Sequence, residues 1–312
     1  MPLNAPLRSF LEWRVETDPA AWKRVRAGVI GLPFSEHYAG DPRPNDQAGA
    51  PEAIRSRSWY FCDGPDHWDF DLGAPLRAIL PDGGRDAGNL LPDSGPFDVA
   101  LEKCVAVLRR QFETADFSVI LGGDHGVTIP VLQAIEVVGR PVHVVQIDAH
   151  ADWREDIGGA RLGYSSPIRR ASELPWISGI TQIGLRGTGS ARASEVEAAQ
   201  DYGATLVTAT EVHDRGIAGV LGHLEGKGPF YLTIDADGLD PSVMPAVMGP
   251  VPGGLRMDQV LPVIRALGRQ GMIGMDIVEV APSFDLPNHI TAITAGRLVL
   301  NGIAAALSSP IA

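Results

Sequence analysis

Three short segments of this 312-residue chain concentrate side chains that can bind metals: GGDHG at 122–126, DAHAD at 148–152 and DADGLDP at 235–241. Each directly follows an apolar run, FSVIL (117–121), VHVVQI (142–147) and PFYLTI (229–234) respectively. In the second and third segments, acids and an imidazole recur at every second position, which places them on one face of an extended chain. The candidate ligands are His125, Asp148, His150, Asp152, Asp235 and Asp237. Asp124 and Asp240 fall outside the alternation and read as turn residues or as supports for the ligands. A lone Asp-x-His or Asp-x-Asp after a strand is often no more than a capping carboxylate. Three such clusters, each closing an apolar run, ask for a common cause.

Two imidazoles and four carboxylates gathered in one site would repel one another and take up protons unless cations paired them. Two divalent ions resolve that conflict, with carboxylates bridging the ions and imidazoles completing each shell. Oxygen and nitrogen donors suit a hard or borderline first-row ion, Mn²⁺ first, with Ni²⁺, Co²⁺ or Zn²⁺ as alternatives.

The elements that must position these groups alternate along the chain. Residues 1–26 read as a helical lead-in, and AGVIGLP (27–33) as a first strand. PEAIRSRSWYF (51–61) starts with Pro at a plausible first helical position. Further strands are expected at ITQIGL (180–185), ATLVT (204–208) and GMIGMDIVEV (271–280), beside the three named above. Helices are expected at 128–138, 257–270 and about 293–307. The strands are mostly Val, Ile and Leu, as in strands covered on both faces. Strand alternating with helix implies a parallel, doubly wound α/β sheet with right-handed crossovers, whose site lies beyond the carboxyl ends of the strands. No Pro/Gly-rich linker divides the chain, so residues 1–312 are expected to form a single domain.

Composition narrows the partners. A formal net charge of -12 argues against nucleic acid, which needs a basic surface, and is compatible with a small cationic substrate. No apolar run approaches the ~20 residues of a membrane span, and the N-terminus lacks a signal-peptide core. The two cysteines, Cys62 and Cys104, sit in no metal-type cluster and read as buried thiols of a cytoplasmic protein.

GGDHG, DAHAD, TIDADGLDP and MDIVEVAP (275–282) together resemble the signatures of the ureohydrolases: arginases, agmatinases, guanidinobutyrases and formiminoglutamases. GVIGLPF followed by AGAPEAIR also fits that family's first strand and helix, and the resemblance runs from about Ala27 to the last helix. It implies the three-layer arginase/deacetylase sandwich and two metal ions per chain. One ion would take His125, Asp148, Asp152 and Asp235; the other would take His150, Asp148, Asp235 and Asp237. A hydroxide held between them would attack a guanidinium carbon, with Asp152 orienting it and Glu279 holding the planar guanidinium. Urea and an amine would leave. Family members are usually homotrimers or homohexamers, and a hetero-oligomer is an alternative.

The chain departs from the resemblance at one place. Many ureohydrolases carry a His-Gly pair in the loop after the Asp-x-His motif, and that histidine is thought to move a proton. Here the loop reads RLGYSSPIRRA (161–171), and Tyr164 or Leu162 holds the position, depending on alignment. The leaving amine still needs a proton. Asp152 could pass it directly, Tyr164 could donate it, or His289 or His37 could substitute. His67, His143, His213 and His223 read as structural. Trp153 could stack on a guanidinium or pack beneath the loop. Glu155 and Asp156 could meet a distal ammonium or form a solvated face, and substrates with a distal carboxylate stay open because Arg154, Arg161, Arg169 and Arg170 lie nearby. Three functions follow: an agmatinase- or guanidinobutyrase-like hydrolase, an N,N-dialkylguanidine or biguanide (metformin-type) hydrolase, and a non-catalytic partner subunit. A single-zinc deacetylase on the related fold would need fewer acidic ligands.

Overall fold

The apolar runs become neighbouring strands of one sheet, because segments buried on both faces must satisfy their backbone groups through each other. The computed structural model describes residues 3–36, 38, 46–59, 64–91, 97–188 and 191–308; His37 and Cys62 lie outside them. In chain order the strands are β1 Leu3–Asn4, β2 Arg14–Val15, β3 Val25–Leu32, β4 Trp68–Asp69, β5 Ala74–Pro75, β6 Arg85–Leu90, β7 Ala115–Gly122, β8 Val142–Ile147, β9 Ile177–Leu185, β10 Thr205–Thr208, β11 Phe230–Asp235 and β12 Met272–Val278. The α-helices are α1 Ala50–Arg57, α2 Leu76–Ile79, α3 Phe97–Thr114, α4 Thr128–Ala134, α5 Pro167–Ala171, α6 Ala193–Tyr202, α7 Ala209–Arg215, α8 Ile217–Leu221, α9 Met257–Arg269 and α10 Ile290–Leu307.

Ten strands form the main sheet in the order β1-β6-β3-β7-β12-β11-β8-β9-β10, with β2 also paired to β6. Among the described strands of this sheet only β1 runs antiparallel to its neighbour. β11 and β12 come late in the sequence but insert between β7 and β8. The ends of β7, β12, β11 and β8 therefore lie side by side, although the strands are drawn from residues 115 to 278.

Alternate residues of each strand feed two cores. Val119, Leu121, Val145, Ile147, Leu232 and Ile234 pack with α1, α7, α9 and α10 on one face. Ile120, Val142, Val144, Tyr231 and Ile180 pack with α3, α4, α5 and α6 on the other. This is the expected three-layer α/β sandwich. α10 is long and apolar enough to cross a membrane, but 67% of it is buried inside the protein, as in a core helix. Cys104 on α3 is buried, and burial pushes its thiol pKa up to about 12.

One local expectation needs correction, and one strand was not among those expected. The lead-in is not helical: it consists of β1, β2 and two single 3₁₀ turns, Phe10–Glu12 and Pro19–Ala21. Its backbone pairs with β6 and with Asp86, whose Oδ2 accepts from Phe10 N at 2.8 Å, so edge pairing displaces helix. β6 itself, RDAGNL, reads as too polar for a buried strand, yet every residue in it is buried. Arg55 on α1 explains this. Its Nε and Nη2 donate to the two Asp86 oxygens at 2.8 and 2.9 Å, and its Nη1 donates to Asn89 Oδ1 at 2.5 Å. Both members of this ion pair are fully buried.

Candidate metal centre

The loops after the four central strands are held close together by glycines. A Cβ at Gly123 would stand 1.7 Å from the Phe34 carbonyl oxygen, so GGDHG can turn under the β3 loop only with glycine there. A Cβ at Gly238 would meet Asp148 N at 2.7 Å, which explains the glycine that lets DADGLDP lie against DAHAD. Asp124 is a cap: its carboxylate accepts from Gly126 N at 2.9 Å and Glu36 N at 2.8 Å. Asp240 holds its own turn through Ser242, Gly253 and Gly254. Neither reaches the ligand cluster, as its position off the alternation implied.

The six candidate ligands do meet. His125 Nδ1 lies 3.2 Å from Asp148 Oδ2, 2.9 Å from Asp152 Oδ2 and 3.2 Å from Asp235 Oδ2. His150 Nδ1 lies 3.5 Å from Asp148 Oδ1 and 3.1 Å from Asp237 Oδ2. Two groups suited to a cation result, His125–Asp148–Asp235 and Asp148–His150–Asp237, each with ligand atoms within 4.8 Å of one another. Asp148 belongs to both, one oxygen toward each.

Electrostatics show what this arrangement lacks. Burial pushes Asp235 well above the usual carboxylate range, helped by Asp237 and Asp148. Burial and then Asp148 push Asp152 up to about 7, against the pull of His125. Burial disfavours a charged His150, yet hydrogen bonds that it donates to Asp148 and Asp237 carry it up to about 12. Asp148 stays below its usual range: burial opposes this, and His125 and His150 prevail. Without cations the cluster must hold extra protons to balance its charge, and metal binding would displace them.

The donor set fits divalent ions. His125 Nε2 is engaged with Thr233 Oγ1 at 3.0 Å, which leaves Nδ1 facing the carboxylates. Nδ1 is buried among three carboxylate oxygens and forms no hydrogen bond of acceptable geometry with any of them. A cation would use that lone pair. His150 is the more open ligand, with its side chain 23% exposed.

Glu279, just beyond β12, sits at the same end. Its Oε1 accepts from His125 N at 2.8 Å and its Oε2 from Gln47 Nε2 at 2.9 Å. Glu279 and Asp152 both have positive φ, 62° and 53°. Such backbone strain in non-glycine residues concentrates at functional sites.

The outer candidates fare differently. Trp153 is not a substrate wall. It is 2% exposed, its Nε1 donates to Gln182 Oε1 at 2.7 Å, and its ring packs on Tyr202. The left-handed turn at Asp152 sends the next side chain into the core. His289 begins α10 with φ 57°, and among the described residues no hydrogen bond or ion pair joins its imidazole to the cluster. Glu155 pairs with Arg161, Arg169 and Arg170. Tyr164 lies against Tyr38, ring centroids 4.5 Å apart. His143 and His213 serve structure, bonded to Thr181 and to Gly253 O. Reasoning from sequence missed Gln47, Tyr38 and Gln146. Tyr38 OH accepts from Ser165 N at 3.1 Å, and its pKa is raised by burial and, to a lesser degree, by nearby Asp152. Gln146 donates to Asp148 Oδ2 at 2.6 Å; its place two residues before Asp148 was the one available signal.

Comparison with known proteins agrees with this geometry. The model of the arginase family matches residues 25–304. An agmatinase of Sodalis glossinidius is 33% identical over 303 residues, covering 94% of this chain and 90% of that protein. The proclavaminate amidinohydrolase of Streptomyces clavuligerus is 29% identical over 309 residues, covering 95% and 92%. The solved structure of that amidinohydrolase superposes with a TM-score of 0.84 at 26% identity, over 97% of this chain and 98% of the other. An agmatine ureohydrolase of Thermoplasma volcanium gives 0.77 at 25% identity, over 93% and 94%. The order of its strands, the acids at their ends and these likenesses agree that the chain belongs to the arginase family, as a hydrolase of carbon–nitrogen bonds in linear amidines.

Proposed function

We propose that this protein cleaves a small guanidino compound into urea and an amine with the help of two divalent ions, Mn²⁺ first and Ni²⁺ second. The observation that carries this reading is Asp148, fully buried and shared by two imidazole–carboxylate groups at the ends of three strands, β7, β8 and β11. His125, Asp148, Asp152 and Asp235 would hold one ion; His150, Asp148, Asp235 and Asp237 would hold the other. When bound, the pair would supply what a guanidinium needs, a water whose pKa is brought toward ~7 and compensation for developing charge.

The chain's own residues do the rest. Glu279 is held by His125 N and Gln47 and keeps lone pairs free, so it can accept the N–H groups of a planar guanidinium. Asp152 is the group we assign to move a proton to the departing nitrogen, since the loop at 161–171 carries no histidine.

For the substrate tail, the charges of the loop beside the site are mostly paired, with Asp156 exposed and accepting from Gly159 N. Glu155 is taken up by three arginines, and Arg154 pairs with Glu195 at 3.4 Å. The rings of Tyr38 and Tyr164, tilted 49° to one another with centroids 4.5 Å apart, lie on the Asp152 side of this loop instead. This favours an alkylated guanidine or biguanide over agmatine or 4-guanidinobutyrate. A non-catalytic subunit is disfavoured by the complete donor set.

The test is release of urea, or of guanylurea and dimethylamine in the case of metformin, by the pure protein loaded separately with Mn²⁺ and Ni²⁺. The panel holds agmatine, 4-guanidinobutyrate, arginine, guanidine, N,N-dimethylguanidine and metformin. Turnover of the alkylated compounds is expected; preference for agmatine would reject the aromatic-wall argument. Neither product from any of them, with two ions bound, would reject catalysis by this chain alone. Glu279→Gln should retain both ions while kcat/KM falls by about 10²–10³-fold, the scale of losing one charged contact made in the transition state.

A further inference from the structure

Asp148 can serve two ions only if its carboxylate plane is fixed, and a chain of buried amides leads to it. Gln146 lies two residues before Asp148 on β8 and faces the same side. In the parallel register Gln146 is opposite Gln182 on β9. Both glutamines are fully buried. Gln146 Nε2 donates to Asp148 Oδ2 at 2.6 Å, and more distantly to Asp152 Oδ2 at 3.4 Å. Gln182 Nε2 donates to Gln146 Oε1 and, at 2.7 Å, to the Ala151 carbonyl. Trp153 Nε1 closes the chain by donating to Gln182 Oε1.

An amide can point either way, and its neighbours decide which. An indole N–H only donates, so the Gln182 atom facing it must be oxygen. A peptide carbonyl only accepts, so the Gln182 atom facing Ala151 must be nitrogen. Gln146 must then turn its oxygen toward Gln182 and its NH₂ toward Asp148. The reverse arrangement would set a carbonyl oxygen against a carboxylate oxygen in a buried place, with a cost for the unpaired groups. At its other oxygen, Asp148 Oδ1 accepts from His150 N at 2.6 Å. Each oxygen is thus held on the side of its own imidazole.

We propose that Gln146, set in direction by Gln182 and Trp153, is a positioning residue that holds Asp148 in the orientation that binds two ions. This rests on the two-ion reading above. It also gives Trp153 a role: anchoring the far end of the relay from inside the core.

The experiment measures Mn²⁺ affinity by chelator competition on the full-length protein, together with the visible spectrum of the Co²⁺-loaded form. The variants are Gln146→Met, Gln182→Glu and Trp153→Phe. Gln182→Glu keeps the size and the acceptor for Trp153 but removes the donor to Gln146. Gln146→Met is expected to weaken Mn²⁺ binding by about 10–100-fold, the usual effect of losing a group that orients a ligand. Trp153→Phe, which keeps an aromatic ring but loses the N–H, should shift affinity and spectrum in the same direction by less. The metal-free melting temperatures of Gln146→Met and Trp153→Phe are measured beside these, so that lost folding is told apart from lost affinity; Gln182→Glu, which sets a buried carboxyl against two carbonyl oxygens, is expected to melt lower. Wild type with two ions, and Gln146→Met of unchanged affinity and spectrum, would overturn the relay alone. Wild type that binds no Mn²⁺ would overturn the two-ion reading and the relay with it. If Gln146→Met does not fold, the same comparison is made with Trp153→Phe, and an unchanged affinity there overturns the relay.

Discussion

Two buried charge clusters share this sheet, and they are built on opposite plans. Around Arg55 and Asp86 every charge finds a protein partner. Arg55 reaches both Asp86 oxygens, Asn89 Oδ1 and Gly88 O, and Asp86 also accepts from Phe10 N and Gly88 N. At the ends of β7, β12, β11 and β8, four carboxylates face two imidazoles, His125 Nδ1 goes without a hydrogen bond, and Asp152 and Glu279 sit on strained backbone. A cluster that closes on itself is scaffold. A cluster that does not close marks where something else must bind.

The sharpest way to break the comparison is Asp148→Asn. It removes the one carboxylate common to both halves of the open cluster, so both ions should be lost and urea formation with them. Metal analysis after desalting checks this, and a variant that keeps one full ion would mean the halves do not share Asp148. Next in size is Arg55→Met. Leaving Asp86 buried without its partner should cost about 3–5 kcal/mol in denaturant unfolding, while the protein that remains folded keeps its metal. Loss of metal from folded Arg55→Met would erase the distinction between scaffold and site. The smallest effect belongs to a partly exposed pair. Asp69 accepts from Arg297 Nη2 at 2.9 Å. Burial opposes ionisation of Asp69, but Arg297 holds its pKa below the ordinary 3.8. A depressed carboxylate pKa stabilises the fold above the unfolded value and loses that contribution as pH falls through the folded one. Arg297→Gln should therefore remove part of the stability seen at neutral pH, less than about 1 kcal/mol, and flatten its decline below about pH 4. Equal losses at pH 3 and pH 7 would show that the pair acts through packing.

Much of the site was legible because its spacing is local. His125, Asp148, His150, Asp152, Asp235 and Asp237 each follow an apolar run by a few residues, so strand geometry alone aims them at one end of the sheet. Other parts depend on residues distant in sequence. β6 was illegible because Arg55, 31 residues away, neutralises Asp86. Gln146 was illegible because its direction comes from Gln182, 36 residues on. Trp153 was left between stacking on substrate and packing beneath the loop because its side chain follows a φ of 53° at Asp152, and sequence periodicity carries no sign of that turn.

The sequence by itself determined the chemistry: which donors are present, how many charges they bring, and that cations must balance them. Only the tertiary structure decided which charges are shared and which are closed. The reason is that pairing buried charges is a matter of distance across strands, and the insertion of β11 and β12 between β7 and β8 sets those distances.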